Sequence, residues 1–336
     1  MSDRVTMSDV ARQARVSLMT VSRVINNKEG VKDETRQDIL EIISKLGYRP
    51  SAIARSLATQ KTRTIGLVIP DVANPFFADI TRGVERLAYS EGYHVFLCNA
   101  EEDPLRELAV IQSLEEKCVD GLILCSSRLE EEKLADLVAR LPAAVLINRT
   151  LAQKDGNTFN SVVIDDQRSG WLATHHLIER GNQSIGFLAG PPASYSGSGR
   201  HKGYLAALQD AGISLEPGWV INCQPSVEGG YEMAHQILAK YPDLTALFCY
   251  NDLVAIGAIQ ACGEINRRIP ADFAIVGHDD IPMAALVSPS LTTCRVPRHE
   301  LGTRAVSALL ESLKGCPDGC QQIVLQPELI IRESAP

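Results

Sequence analysis

The sequence predicts a small all-α headpiece containing a helix-turn-helix, followed by a two-lobed α/β domain. Three observations predict this: two short amphipathic helical patterns near the start, an alternation of apolar strand runs and helical patterns from Thr64, and a restart of that alternation at Ser184. Charge divides along the same line. Residues 1–63 carry 12 Lys+Arg against 7 Asp+Glu, a net of +5, while the remainder carries 21 against 34, a net of −13. The whole-chain value of −8 conceals the split. A basic head on an acidic body suits a phosphate-contacting module joined to a domain with another task.

Within the head, Thr6 precedes an apolar-periodic run and Asp9 follows three positions later, the spacing of a capping box at a helix start. Val10, Ala11 and Ala14 share one face. Arg15-Val16 makes a turn, and Ser17 can cap a second helix whose Val21, Val24 and Ile25 form a buried stripe at i, i+3, i+4 spacing. The outward set is Met19, Ser22, Arg23 and Asn26, with Leu18 and Thr20 at the helix start. These types suit the major groove of duplex DNA: hydroxyls and Asn as adaptable partners, Arg for guanine or phosphate, Leu and Met for thymine methyls. Thr6 and Ser17 complete the candidate DNA-facing residues. A third helix is expected from about Asp33, with Ile39, Leu40, Ile42, Ile43 and Leu46 apolar and Gly47 as its stop.

These residues carry a resemblance. Asp9-Val-Ala, Val16-Ser, Thr20-Val-Ser-Arg-Val-Ile-Asn-Asn, Gly47-Tyr-Arg-Pro and Ala54-Arg-Ser-Leu-Ala resemble the head and hinge of the lactose repressor (LacI/GalR) family of bacterial transcription regulators. The resemblance implies that Ser17 to Asn26 is the recognition helix, with Leu18, Met19 and Arg23 reading bases most directly. Leu18 and Met19 depart from members with polar residues there, which shifts the expected contact toward thymine methyls. Residues 50–63 form a helix-compatible segment barely two turns long, marginal alone in water. The resemblance implies that Ala54 and Leu57 belong to paired hinge helices in the minor groove, with Leu57 wedged into a base step. The expected divisions are a headpiece at 1–49, a hinge at 50–63, and an effector-binding and dimerisation domain at 64–336.

From Thr64 the strand runs are Thr64-Ile-Gly-Leu-Val-Ile-Pro70, Tyr93 to Cys98, Val119 to Cys125, Ala143 to Ile147 and Ser161 to Ile164. The theme restarts with Ser184-Ile-Gly-Phe-Leu-Ala-Gly190 and continues at Thr245 to Cys249, Phe273 to Val276 and Leu291 to Val296. Alternation of this kind predicts parallel sheets with helices on both faces. The resemblance implies the two-lobed, periplasmic-binding-protein-like arrangement, with three crossings between lobes and Gln321 to Arg332 ending the second lobe.

Two open α/β sheets imply a cleft, because ligands bind beyond the carboxyl ends of strands. The polar and aromatic residues just after strands are therefore the candidates: Phe76 and Phe77 in Asn74-Pro-Phe-Phe, Asn148-Arg149, Asn251-Asp252 and Asp279-Asp280. Arg200 is expected to begin a helix after the glycine- and serine-rich loop Gly190 to Gly199. The resemblance implies effector contacts from Phe77, Asn148, Arg200, Asn251 and Asp279, and Phe76 and Arg149 beside them complete the candidate effector-binding set. Carboxylate, amide and guanidinium beside an aromatic ring suit a sugar. Arg149 and Arg298 point toward a sugar acid. A purine or nucleoside is the alternative, set against Pro225 standing where a second stacking ring is expected. His278, before Asp279, is expected to be a packed spacer or a further ligand contact.

Several classes are excluded by what the sequence lacks. Nine cysteines are scattered without a C-x-x-C, Cys316 and Cys320 flank a turn without further ligands, and His175-His176 is expected to cap or pack. No nucleophile elbow, P-loop or zinc spacing appears, so neither enzyme activity nor a cofactor is expected. The polar N-terminus and the absence of a long apolar run imply a cytoplasmic protein without a membrane partner. A sugar-binding transport protein would share the lobes but leave the basic head unexplained. The expected partners are operator DNA, a small effector and a second copy of the chain, with a homodimer preferred to a tetramer because two heads match a palindrome.

Overall fold

The computed structural model describes residues 5–48, 56, 61–151, 159–315 and 321–336. Ala54, Leu57 and most of the expected hinge lie outside the described residues, as do Cys316 and Cys320. The chain divides into two compact units, Met1–Thr62 and Arg63–Pro336.

The first unit holds three helices: α1 (Met7–Ala14), α2 (Leu18–Ile25) and α3 (Asp33–Leu46). The capping box forms as expected. The Thr6 hydroxyl accepts from the Asp9 amide at 3.4 Å, and the Asp9 carboxylate accepts from the Thr6 amide at 2.9 Å. The Thr6 hydroxyl, 2.6 Å from the Asp9 carboxylate, and then the Thr6 amide hold the Asp9 carboxyl below its ordinary range by donating to it. Arg15 takes the left-handed conformation that ends α1, and the Ser17 hydroxyl caps α2 by accepting from the Thr20 amide at 3.1 Å. Gly47 ends α3 at φ +63°, where an L side chain is strained. The core is small: Val10, Ala11, Val21, Val24, Ile39 and Tyr48, with Ala14, Ile25 and Ile43 packed at its margin.

The second unit contains two six-stranded sheets. The first has the order β11-β5-β4-β3-β1-β2, built from β1 (Thr64–Ile69), β2 (His94–Asn99), β3 (Gly121–Cys125), β4 (Ala144–Ile147), β5 (Ser161–Ile164) and β11 (Gln322–Leu325). The second has the order β12-β10-β9-β8-β6-β7, built from β6 (Ile185–Ala189), β7 (Val220–Asn222), β8 (Ala246–Cys249), β9 (Ala274–Asp279), β10 (Thr292–Arg295) and β12 (Glu328–Ile330). Every paired ladder is parallel except β10 with β12. Helices α4 (Pro75–Ser90), α5 (Pro104–Glu116), α6 (Glu131–Val138), α7 (Asp166–Glu179), α8 (Tyr195–Asp210), α9 (Val227–Lys240), α10 (Asp252–Glu264) and α11 (Arg298–Leu313) cover the faces.

The period-two alternation of side chains sends successive strand residues into different cores. Ile65, Leu67, Ile123 and Val145 join one cluster while Val68, Leu122, Leu124 and Leu146 join another. In the second sheet Leu247, Cys249 and Ile275 divide from Ala246, Phe248 and Val276 in the same way. The strands therefore read as unbroken apolar runs because both faces are covered.

The chain crosses between lobes three times: from β5 to α7, from β10 to α11, which packs in the first lobe's core, and from β11 to β12. This corrects the expectation that Gln321 to Arg332 ends the second lobe. Its first half pairs with β5 and only its second half with β10. Two short edge strands of similar polarity do not reveal which sheet each joins.

Candidate functional site

Each cleft residue follows a strand. Beyond β1, Asn74 caps α4 by accepting from the Phe76 amide at 2.9 Å, which fixes Phe76 and Phe77 in the first turn with their rings edge to face at 5.0 Å. Ser126 and Arg128 follow β3, and Asn148 follows β4. From the second lobe come Ser196 and Arg200 on α8, Pro225 before α9, Tyr250 and Asn251 after β8, and Asp279 at the end of β9. Together with Glu102 they line one cavity. Ser126, Asn148 and Asp279 sit at φ of +49°, +54° and +112°. Non-glycine residues in that region cost energy and persist where surrounding structure fixes them, as at ligand sites.

Arg200 departs from the expected local structure. It lies in the second turn of α8 rather than at its start, because Ser194 caps the helix by accepting from the Gly197 amide at 3.0 Å. The helix starts inside the glycine- and serine-rich run, at Tyr195, and glycines on both helices let α8 approach α7. A Cβ on Gly203 would lie 2.0 Å from the Gln167 carbonyl, and one on Gly170 would lie 2.1 Å from the Arg200 carbonyl. That closeness seats the Arg200 Nε 2.8 Å from Asp166 Oδ1 and its Nη1 2.6 Å from the Tyr250 carbonyl. Burial opposes the Arg200 charge, but the neighbouring carboxylate of Asp166 outweighs it with help from Tyr250 and Asp279, and the guanidinium stays charged.

Across the cleft Arg128 makes a two-pronged pair with Glu102, at 2.5 and 3.1 Å, and its amide donates to Glu107 at 2.8 Å. Asp279 accepts from His278 Nδ1 at 2.8 Å. Burial first, and then Arg200, hold His278 below its ordinary value. A neutral ring donating from Nδ1 leaves Nε2 a bare acceptor, and that atom has no partner. Asp252, wholly buried, accepts from the Ile281 amide at 2.8 Å, with the Thr293 hydroxyl 2.5 Å away. Burial, then the Asp279 charge, push its carboxyl far up.

Six of the seven sequence-predicted cleft residues meet here: Phe76, Phe77, Asn148, Arg200, Asn251 and Asp279. Asn251 also performs a local task, its Oδ1 capping α10 through the Val254 amide at 2.9 Å. Arg149 is not in the lining. Its Nη2 donates to the Leu129 carbonyl at 3.1 Å and its guanidinium faces the Tyr195 ring, because the left-handed turn at Asn148 sends successive side chains apart. Arg298 is likewise spent elsewhere, pairing with Asp79 at 3.0 Å and donating to the carbonyls of Asp279 and Asp280. His278 is both spacer and neighbour, fully buried with its ring against Asp279.

Sequence reading missed Glu102, Ser126, Arg128, Ser196 and Tyr250 as lining residues. Glu102 follows β2 and Ser126 follows β3, so the rule that identified Asn148 was available for both. His176, by contrast, packs as expected, with Nε2 2.8 Å from the Ala335 carbonyl. Among the described residues no group of acidic, His or Cys side chains could hold a metal ion.

Of the candidate DNA-facing residues in the headpiece, Thr6, Ser17, Leu18, Met19, Arg23 and Asn26 are exposed, and Thr20 and Ser22 are half-buried. Leu18 is 50% and Met19 66% exposed, unusual for large apolar residues in so small a unit. Arg23 and Asn26 are exposed too, while the Asn26 amide donates to the Ser22 carbonyl at 2.8 Å.

Residues 62–331 match the family profile described as periplasmic binding proteins and sugar binding domain of LacI family, and residues 6–51 match that of bacterial regulatory proteins, lacI family. The chain belongs to the LacI family. A LacI-family relative from Photorhabdus laumondii, the HTH-type transcriptional repressor PurR, is 39% identical over 332 residues, covering 98% of this chain and 96% of its own. Among solved LacI-type structures, the lac repressor dimer bound to operator and the anti-inducer ONPF superposes with a TM-score of 0.88 at 26% identity, covering 99% of each chain. The transcriptional regulator CelR in complex with cellobiose superposes at 0.75 with 29% identity, covering 98% of this chain and 100% of its own. The protein is a LacI-family DNA-binding transcriptional repressor with a small-molecule effector domain, and its relatives are repressors rather than enzymes. No helix among the described residues is long and apolar enough to cross a membrane.

Proposed function

We propose that this repressor binds a palindromic operator as a dimer through α2, and that an effector between its lobes sets the affinity for DNA. One observation carries the effector site. Asn148 Oδ1 from the first lobe and Ser196 Oγ from the second are buried, line the same cavity and have no hydrogen-bond partner. Buried polar atoms are almost always satisfied, so a ligand bridging both would favour one arrangement of the lobes over another. Exposed Tyr89, Phe96 and Leu97 on α4 and the edge strand β2 support a dimer contact through the first lobe. The reading places the protein in the cytoplasm, with the DNA.

For the effector, the polar lining supports a compact ring bearing several hydroxyls, and CelR provides a relative in complex with cellobiose. A purine or nucleoside is the second reading. The 39% identity to PurR over nearly the full chain exceeds the 29% identity to the cellobiose complex, so similarity favours the purine class over the carbohydrate class. Thermal shift of the full chain against sugars and purines separates them, since a native-state ligand raises the melting temperature. Operator affinity with and without the hit then gives the direction of control, which depends on the state the ligand prefers.

A further inference from the structure

The geometry points to a charge rule for the effector: the cleft selects an uncharged ligand that donates hydrogen bonds, and rejects carboxylated or phosphorylated forms of the same compound. This rests on the cleft being the effector site, and it holds for a sugar and for a purine alike.

Two guanidiniums line the cavity, a pattern that in sequence suggests an acidic ligand. Both are already matched: Arg128 is bound by both oxygens of Glu102, and Arg200 lies 2.8 Å from Asp166. Arg298, behind the cleft, is matched by Asp79 at 3.0 Å. Arg149 does not line the cavity; its guanidinium donates to the Leu129 carbonyl and lies over the Tyr195 ring. What remains is Asp279, 4% exposed, which no cation pairs with among the described residues. Its one hydrogen-bonding neighbour, His278, is held toward the neutral form by burial and by Arg200, so it donates a bond without cancelling the charge.

An unmatched carboxylate that is itself buried attracts donors and repels anions, and both effects strengthen as water is excluded. Hydroxyls and ring N–H groups can donate to Asp279 while accepting from the charge-matched Arg200. An added carboxylate or phosphate would meet Asp279 with no free cation to receive it, and discrimination by such repulsion is as effective as any gain in attraction. The Asn148 and Ser196 oxygens add acceptors rather than positive charge.

The test uses the full chain and matched pairs: ribose with ribose 5-phosphate, glucose with gluconate, and guanine or guanosine with guanosine monophosphate. Binding is measured by thermal shift and calorimetry. One neutral member is expected to bind, its anionic counterpart at least about tenfold more weakly. Asp279→Asn should weaken the neutral ligand and narrow the ratio between the two. An anionic member binding as tightly as its neutral partner, with both lost in Asp279→Ala, overturns the charge rule and leaves the effector site standing. A neutral ligand whose affinity is unchanged in Asp279→Ala and in Ser196→Ala binds elsewhere and overturns both. So does the absence of any shift from every member of the set.

Discussion

The headpiece and the effector domain hold their functional residues in opposite ways. In the headpiece six buried residues support three helices, and most of the candidate DNA-facing side chains described there are exposed, Met19 at 66%. In the effector domain Asn148, Arg200, Asn251 and Asp279 are each 2–4% exposed, gathered from the ends of four strands in two sheets. A protruding set needs only a stable helix beneath it. A sunken set needs each element in place, because a buried polar group without its partner is costly.

The contrast can be broken or sharpened by experiment. The largest effect is expected from Asp279→Ala, which should weaken effector binding by about 100-fold, the scale of a lost charge-assisted bond; calorimetry on the folded variant measures it. Gly203→Ala should come next. Its Cβ has no room beside the Gln167 carbonyl, and overpacking of this kind costs about 1–3 kcal/mol, read as a lower urea midpoint with weakened effector binding. Arg23→Ala should lower operator affinity by about tenfold with no change in effector binding, within the range for one base-reading side chain; fluorescence anisotropy on labelled operator follows it. Thr6→Ala should reduce headpiece stability by about 1 kcal/mol, the value of an N-cap, leaving the effector domain's unfolding transition in place. Equal sensitivity of both units to Gly203→Ala and Thr6→Ala would erase the contrast.

The smallest effect is a slope. The Asp252 carboxyl lies far above its ordinary 3.8 in the folded state, so between 3.8 and its raised value the folded chain keeps a proton that the unfolded chain releases. Stability from this group therefore falls as pH rises through that window. Asp252→Asn, which can bond to both the Ile281 amide and the Thr293 hydroxyl, should remove the decline, as seen in melting temperatures across acidic to neutral pH.

Legibility followed the same division. Thr6, Asp9 and Ser17 cap where their spacing says they should, since capping needs only residues three positions apart. The strands were legible because burial on two faces leaves continuous apolar runs. Asn148, Asn251 and Asp279 were legible as cleft residues because the strand-end rule is local once strands are found. Arg149 and Arg298 failed the same rule, one turned aside by the left-handed backbone at Asn148, the other claimed by Asp79 on a helix more than two hundred positions away in sequence. Arg128 and Ser196 gave no sign of their place.

By itself the sequence determined the class of each unit, the boundary between a basic head and an acidic body, the helix caps, and the strand ends from which a cleft would be built. These depend on neighbours a few residues apart, and periodicity and charge record them. Only the tertiary structure decided which cations the cleft had already spent. Glu102 meets Arg128, Asp166 meets Arg200 and Asp79 meets Arg298 across distant segments, and Asp279, which lines the cavity, makes no ion pair with Lys or Arg among the described residues. Electrostatic matching depends on separation in space, and sequence order does not encode it.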